Sequence, residues 1–123
     1  MTTAEWLSRG TYLQTVIKEL KETYWKGVEQ NEEYPLSALQ DYTDRIETLI
    51  DKKYQILSEI TDVIQRVPKE HLQHLLFARY IEGKSLKQIS EEIDYTYEWI
   101  RKFLHKNAVR EVEKILEELK VTV

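Results

Sequence analysis

Apolar side chains near the N-terminus recur at alternating steps of four and three, with Trp6, Gly10, Leu13, Ile17, Leu20 and Tyr24 on one line. That is the seam of a helix packed along one neighbour, and it predicts a single long helix from about Thr3 to Gln30. Thr2 and Glu5 have the spacing of a capping box at its start. A polar break, Asn31-Glu-Glu-Tyr-Pro35, ends in the residue least able to continue a helix. A second stripe then runs through Leu39, Tyr42, Ile46, Leu49, Lys53, Ile56, Ile60, Val63 and Val67, widened by Ile50, Leu57 and Ile64. It predicts a helix from Ser37, capped with Gln40, to about Val67. The two helices should be about 40 Å and about 45 Å long, and the short link between them favours an antiparallel hairpin. Lys53 interrupts the seam, as polar residues that fix register do.

Shorter elements follow. Pro68 opens a third helix at its first turn, with Leu72, Leu75, Leu76, Tyr80 and Ile81 on its buried face and Gly83 at its end. Ser85, with Gln88 three residues on, caps a fourth. Asp94 marks a bend expected to need left-handed backbone. Thr96 caps the last helix, and Glu98 in its first turn complements the helix dipole. Ile89, Ile93, Tyr95, Ile100 and Phe103 should be buried where these helices cross, beside the small Ser90. Ile100, Phe103 and Leu104 then point inward, which leaves Tyr97, Glu98, Arg101, Lys102 and His105 outside. Val112, Ile115, Leu116 and Leu119 give the last helix its own apolar stripe, with no stop signal before Val121. The fold expected is all-α. Residues 1–67 form a helical hairpin serving as an oligomerisation or partner-binding arm, and residues 68–123 form a helix-turn-helix domain.

Charge sharpens this picture. The 123 residues carry a formal net charge of −4, yet residues 1–66 hold 8 basic and 12 acidic side chains while 67–123 hold 10 of each. Between Trp99 and Arg110 there are 4 basic residues, no acidic one, and His105. Local potential decides where phosphate docks, so the focus on one helix outweighs the net sign. With 41% hydrophobic and 33% charged residues the chain should fold and dissolve well. It has no Cys, which excludes disulfides and thiol catalysis and fits a reducing cytosol. No apolar run reaches membrane-span length, and MTTAEWLSRG lacks a signal-peptide core. A soluble protein of the bacterial cytoplasm, without membrane contact, is expected.

The stretch from His74 to Leu116, HLLFARYIEGKSLKQISEEIDYTYEWIRKFLHKNAVREVEKIL, resembles region 4 of the bacterial sigma-70 family. The resemblance rests on Tyr80-Ile-Glu-Gly83, on Ser85-Leu-x-x-Ile89-Ser-Glu-x-Ile93, and on Thr96-x-Glu98-x-Ile100-Arg101, and spans roughly residues 70–118. With a long helical segment ahead of it, the chain looks like small phage regulators of the ArpU/RinA type, which control late or packaging genes. The resemblance implies that Tyr97, Glu98, Arg101 and Lys102 read bases in the major groove. Three positions depart from the family pattern: Asp94 stands for the turn glycine, Tyr97 for an arginine, and Trp99 for a polar residue. Trp99 is expected to pack against the N-terminal arm. Nothing resembling promoter-melting regions occurs in this sequence, so action beside host RNA polymerase is expected.

The chemistry of the side chains points the same way. Arg101 is suited to guanine, and Glu98 to a cytosine amino group. The base-reading set is thus Tyr97, Glu98, Arg101, Lys102 and His105. Lys84, Lys87, Thr96, Lys106 and Arg110 are the phosphate candidates. His71 and His74 sit three apart beside Glu70, without the further ligands of a metal site. Acidic pairs such as Glu91-Glu92 read as solvated faces, and no phosphate-cradling loop or nucleophile signature occurs. No enzyme activity, metal or cofactor is expected. The expected function is a sequence-specific transcriptional regulator of phage or prophage origin that binds double-stranded DNA as a homodimer with host RNA polymerase. A small terminase-type packaging protein and a polymerase-binding module with weak DNA contact are the alternatives.

Overall fold

In the computed structural model, which describes residues 1–30 and 35–123, the chain is all-helical, with no strand among the described residues. The helices are α1 (Thr3–Leu7), α2 (Arg9–Gln30), α3 (Leu36–Ile64), α4 (Glu70–Tyr80), α5 (Leu86–Glu92), α6 (Tyr97–Trp99) and α7 (His105–Glu118), with a π-helical turn at Ile100–Leu104 joining the last two. The polar break expected at 31–34 lies outside the described residues. None of the helices is long and apolar enough to cross a membrane.

The N-terminal helix expected as one piece is two. Thr2 caps α1 as its spacing suggested, but the helix is interrupted at Ser8. There the hydroxyl donates to the Ala4 carbonyl at 2.7 Å, and the Ser8 N–H is shared between the carbonyls of Ala4 and Glu5. Arg9 Nε takes the Trp6 carbonyl at 3.0 Å. Side chains competing for main-chain acceptors tighten the turn. Trp6 and Leu7 before it are buried in the C-terminal core, while Leu13 and Ile17 after it are buried along α3.

Helices α2 and α3 run antiparallel, because their contacts pair ascending with descending residues. Gly10 lies on Leu57, where a β-carbon would collide with a leucine methyl. Lys53 Nζ donates to Gln14 Oε1 at 2.6 Å, so the polar seam position has a partner across the pair. Farther out, Tyr24 stacks on Tyr42 with ring centres 3.9 Å apart. Helix α3 starts at Leu36 on an extended Pro35, without the expected Ser37 cap. Gln40 instead bonds Asp44, one turn along its own helix. At its other end α3 stops at Ile64, short of Val67. The Gln73 amide donates to the carbonyls of Gln65 (3.2 Å) and Val67 (2.6 Å), satisfying acceptors that a continuing helix would have used. Pro68 consequently lies in the connection, and α4 begins two residues later.

Gly83 ends the α4 region with φ +72°, and Lys84 N–H reaches back to the Ala78 carbonyl. At the C-terminus the rod formed by α6, the π-helical turn and α7 stops at Glu118, before the expected Val121. Lys120 turns left-handed (φ 57°), and Val121 N–H closes on the Leu116 carbonyl. Leu119 is therefore exposed, not part of the stripe. One core cluster joins α1, the end of α3, α4, α5 and the final rod, through Leu7, Ile60, Leu75, Leu76, Ile89, Ile100 and Leu116 among others. It draws side chains from both sides of residue 67.

Candidate nucleic-acid interface

Helix α5 is fixed at its start by a complete capping box. The Ser85 hydroxyl accepts from Gln88 N–H at 3.1 Å, and the Gln88 side chain accepts from Ser85 N–H at 2.8 Å. It ends at Ile93, whose backbone is extended. The bend that follows differs from expectation. Asp94 is not left-handed; the only non-glycine residue with positive φ among those described is Lys120. The turn is closed instead by Tyr95 N–H on the Ile93 carbonyl at 2.8 Å, a three-residue turn that makes no demand for glycine. The Thr96 hydroxyl then accepts from Trp99 N–H at 3.1 Å and starts the next helix.

That helix continues from Tyr97 to Glu118 with helical backbone at each junction. Within it, His105 N–H bonds the Ile100 carbonyl five residues back, so one turn holds an extra residue. The periodicity explains why. Ile100, Leu104, Ala108 and Val112 are all buried at steps of four. Each such step overshoots an α-helical turn by about 40°. A straight α-helix would carry Val112 about 120° away from Ile100, and taking in one surplus residue, worth about 100°, restores the common face. The same shift rotates two neighbours away from their expected places. Phe103, expected in the core, is 49% exposed; Tyr95, which precedes the helix and owes nothing to this shift, is exposed as well. His105, expected outside, is half-buried.

His105 Nε2 lies 2.6 Å from the Tyr80 hydroxyl of α4. Burial, then the nearby Arg79 charge, pushes the imidazole below its ordinary range and favours the neutral ring, whose tautomer sets which of the two groups donates. Burial also raises the Tyr80 hydroxyl. This pair anchors the rod from beneath. It is not available to a base, and His105 leaves the reading set.

The other four residues expected to read bases lie outside the core. Tyr97, Glu98, Arg101 and Lys102 are exposed, Glu98 and Lys102 on the side away from the buried Ile100 and Tyr97 and Arg101 on its flanks. Glu98 lies 3.2 Å from Lys102 Nζ and 3.0 Å from Arg101 Nη2. Hydrogen bonds from Lys102 and then Arg101 hold its carboxyl below the usual range. The cationic run therefore carries an acid beside it, one residue before the stretch counted in the sequence. Among the phosphate candidates, Lys84 is engaged: its ammonium bridges Glu92 at 2.8 Å and Glu82 at 3.5 Å. The hydrogen bond to Glu92 is the chief reason its pKa is raised. Lys87, Lys106 and Arg110 are exposed, and no described residue forms an ion pair with them. The Thr96 oxygen is committed as a cap, though its proton remains free to donate.

Trp99 does not pack against the N-terminal arm. It is 46% exposed, and its ring lies 4.5 Å from that of Phe103. Sequence reasoning missed this pair, the Tyr80–His105 bond and the π turn. The signal common to all three was the run of four-residue steps from Ile100 to Val112. His71 and His74 are both exposed, and the described residues include no cluster able to hold a metal ion. Comparison with protein-family models, with curated proteins and with solved structures finds no match for this chain.

Proposed function

We propose that this chain is a sequence-specific binder of double-stranded DNA, a transcriptional regulator and not an enzyme. Helix α5, the bend at 93–96 and the rod form the helix-turn-helix, and the rod enters the major groove. The observation that carries the reading is the anchoring of one helix face by Ile100 and Leu104 while Tyr97, Glu98, Arg101 and Lys102 stand on the open side. Exposed ion pairs are weak, so DNA can draw Arg101 and Lys102 away from Glu98 at little cost. Arg101 then meets guanine acceptors, and Glu98 is released to accept from a cytosine amino group. Lys87, Thr96, Lys106 and Arg110 supply the phosphate contacts that set register on the duplex.

The resemblance to sigma region 4 supports a promoter as the target, with host RNA polymerase of the bacterial cytoplasm as co-partner and a phage origin for the gene. Helices α2 and α3 form the arm. Its outer end leaves Trp25 59% and Leu36 82% exposed, a surface suited to a second copy of the chain. In vitro selection of duplexes by the whole chain, followed by titration of the selected site, tests the reading. A bidentate base contact discriminates by about 1–3 kcal/mol. The double variant Arg101→Ala/Lys102→Ala should accordingly lose selective binding by about tenfold or more with its helical circular dichroism intact. Undiminished selectivity in that variant would refute the placement of the reading surface.

A further inference from the structure

Trp99 and Phe103 remain unexplained by the contacts above. Large aromatic side chains half in water are costly to leave uncovered, and these two lie together. They sit four residues apart across the π turn, which keeps them on one ledge beside the Glu98–Lys102 pair. The extra residue in that turn is what brings Phe103 out of the core and onto the ledge. The same rod carries exposed Lys106 and Arg110, without ion-pair partners among the described residues, and Arg101 and Lys102, whose exposed pairs with Glu98 open at little cost. An occupant must therefore present an apolar group at the centre and negative charge at its margins. Duplex DNA does so at thymine, whose C5-methyl is the apolar group on the major-groove floor, flanked by phosphates.

We infer that Trp99 and Phe103 form an apolar ledge that reads thymine methyl groups in the DNA site. The inference rests on the proposed DNA-binding function and adds a hydrophobic element to its polar readers. It makes the two aromatic residues determinants of specificity: they select T·A over C·G at the positions they cover, since cytosine lacks the methyl. Tyr97, Glu98, Arg101 and Lys102 discriminate elsewhere in the site.

The test replaces each thymine of the selected duplex by deoxyuridine, which removes the methyl and leaves base pairing and charge unchanged. Affinity of the wild-type chain should fall about threefold to fivefold at one or two positions, the scale of one buried methyl group. Trp99→Ala/Phe103→Ala should bind the thymine duplex as weakly as the wild type binds the uracil duplex, and should no longer tell the two apart. Both side chains are exposed, so the variant is expected to keep wild-type helicity, which circular dichroism checks. Equal wild-type affinity for thymine and uracil at every position would overturn the inference while leaving DNA binding intact. A thymine preference that survives the double substitution would also overturn it. So would a double variant that changes native mass but not methyl sensitivity, since the ledge would then be a protein interface. Absence of selective duplex binding by the wild type would remove the underlying function, and this inference with it.

Discussion

His105 shows how one side chain couples the C-terminal rod to the rest of the molecule. Its ring shares a hydrogen bond with the Tyr80 hydroxyl, and burial resists its protonation. In the unfolded chain the ring regains an ordinary pKa near 6.5. Below that pH the unfolded state therefore binds the proton more readily than the folded state does. The stability that the neutral pair contributes is present above about pH 6.5 and is lost as pH falls toward the depressed folded value. Urea unfolding at pH 7.5 and pH 5.0 should show lower stability at the acidic pH, and His105→Gln should flatten the difference. Glu98 titrates in a separate window below its ordinary 4.5, so it does not obscure this step. An unchanged pH dependence in His105→Gln would show that the ring is not held neutral by burial. Sequence position alone could not reveal this role. An imidazole next to Lys106 reads as part of a cationic face until the turn that rotates it inward is known.

Among the elements, the rod is the most informative. Its surplus residue is absorbed by the π turn at Ile100–Leu104, so removing one residue there should restore continuous α-helix with the core face preserved. Deletion of Lys102 is expected to leave folding stability nearly unchanged, although it disturbs the reading face. Deletion of Glu113, beyond the π turn, rotates Ile115 and Leu116 out of the core. That should cost roughly 3–6 kcal/mol, the burial of two large aliphatic side chains. Thermal or urea denaturation of the two deletion variants makes the comparison, and equal losses would contradict the register argument. The caps were legible in sequence because Ser85 with Gln88, and Thr96, act within four residues of themselves. The break at Ser8 and the end of α3 at Ile64 were less so. Both are decided by side chains taking main-chain carbonyls, in the second case by Gln73 from the following helix. The left-handed bend expected at Asp94 gave way to a three-residue turn that satisfies the same geometry with ordinary backbone.

On the scale of the whole molecule, the arm and the head share a core. Trp6 and Leu7 from the N-terminus, Ile60, Val63 and Ile64 from α3, and Val67 just after it pack with α4 and the rod. The apolar stripes announced these contacts only as faces; which face met which needed three dimensions. The outer part of the arm is different, for Trp25, Leu36 and Leu39 are exposed there, with Tyr54 exposed farther inward along α3. If a second copy covers this surface, light scattering of the full chain should give twice the monomer mass, and Leu39→Glu/Tyr54→Glu should return it to one. A ring of many subunits would instead favour a DNA-packaging assembly. A dimer would place two reading rods on one duplex, with paired half-sites in the selected sequence.

The central claim is that the open face of the rod lies in the major groove. Methylation interference on the selected duplex tests it most directly, because guanine N7 faces the major groove and adenine N3 the minor. The account predicts that methylation at one or more guanine N7 atoms blocks binding of the wild-type chain, and that this block disappears in Arg101→Ala. Interference confined to adenine N3, or a guanine block that persists without Arg101, would contradict it.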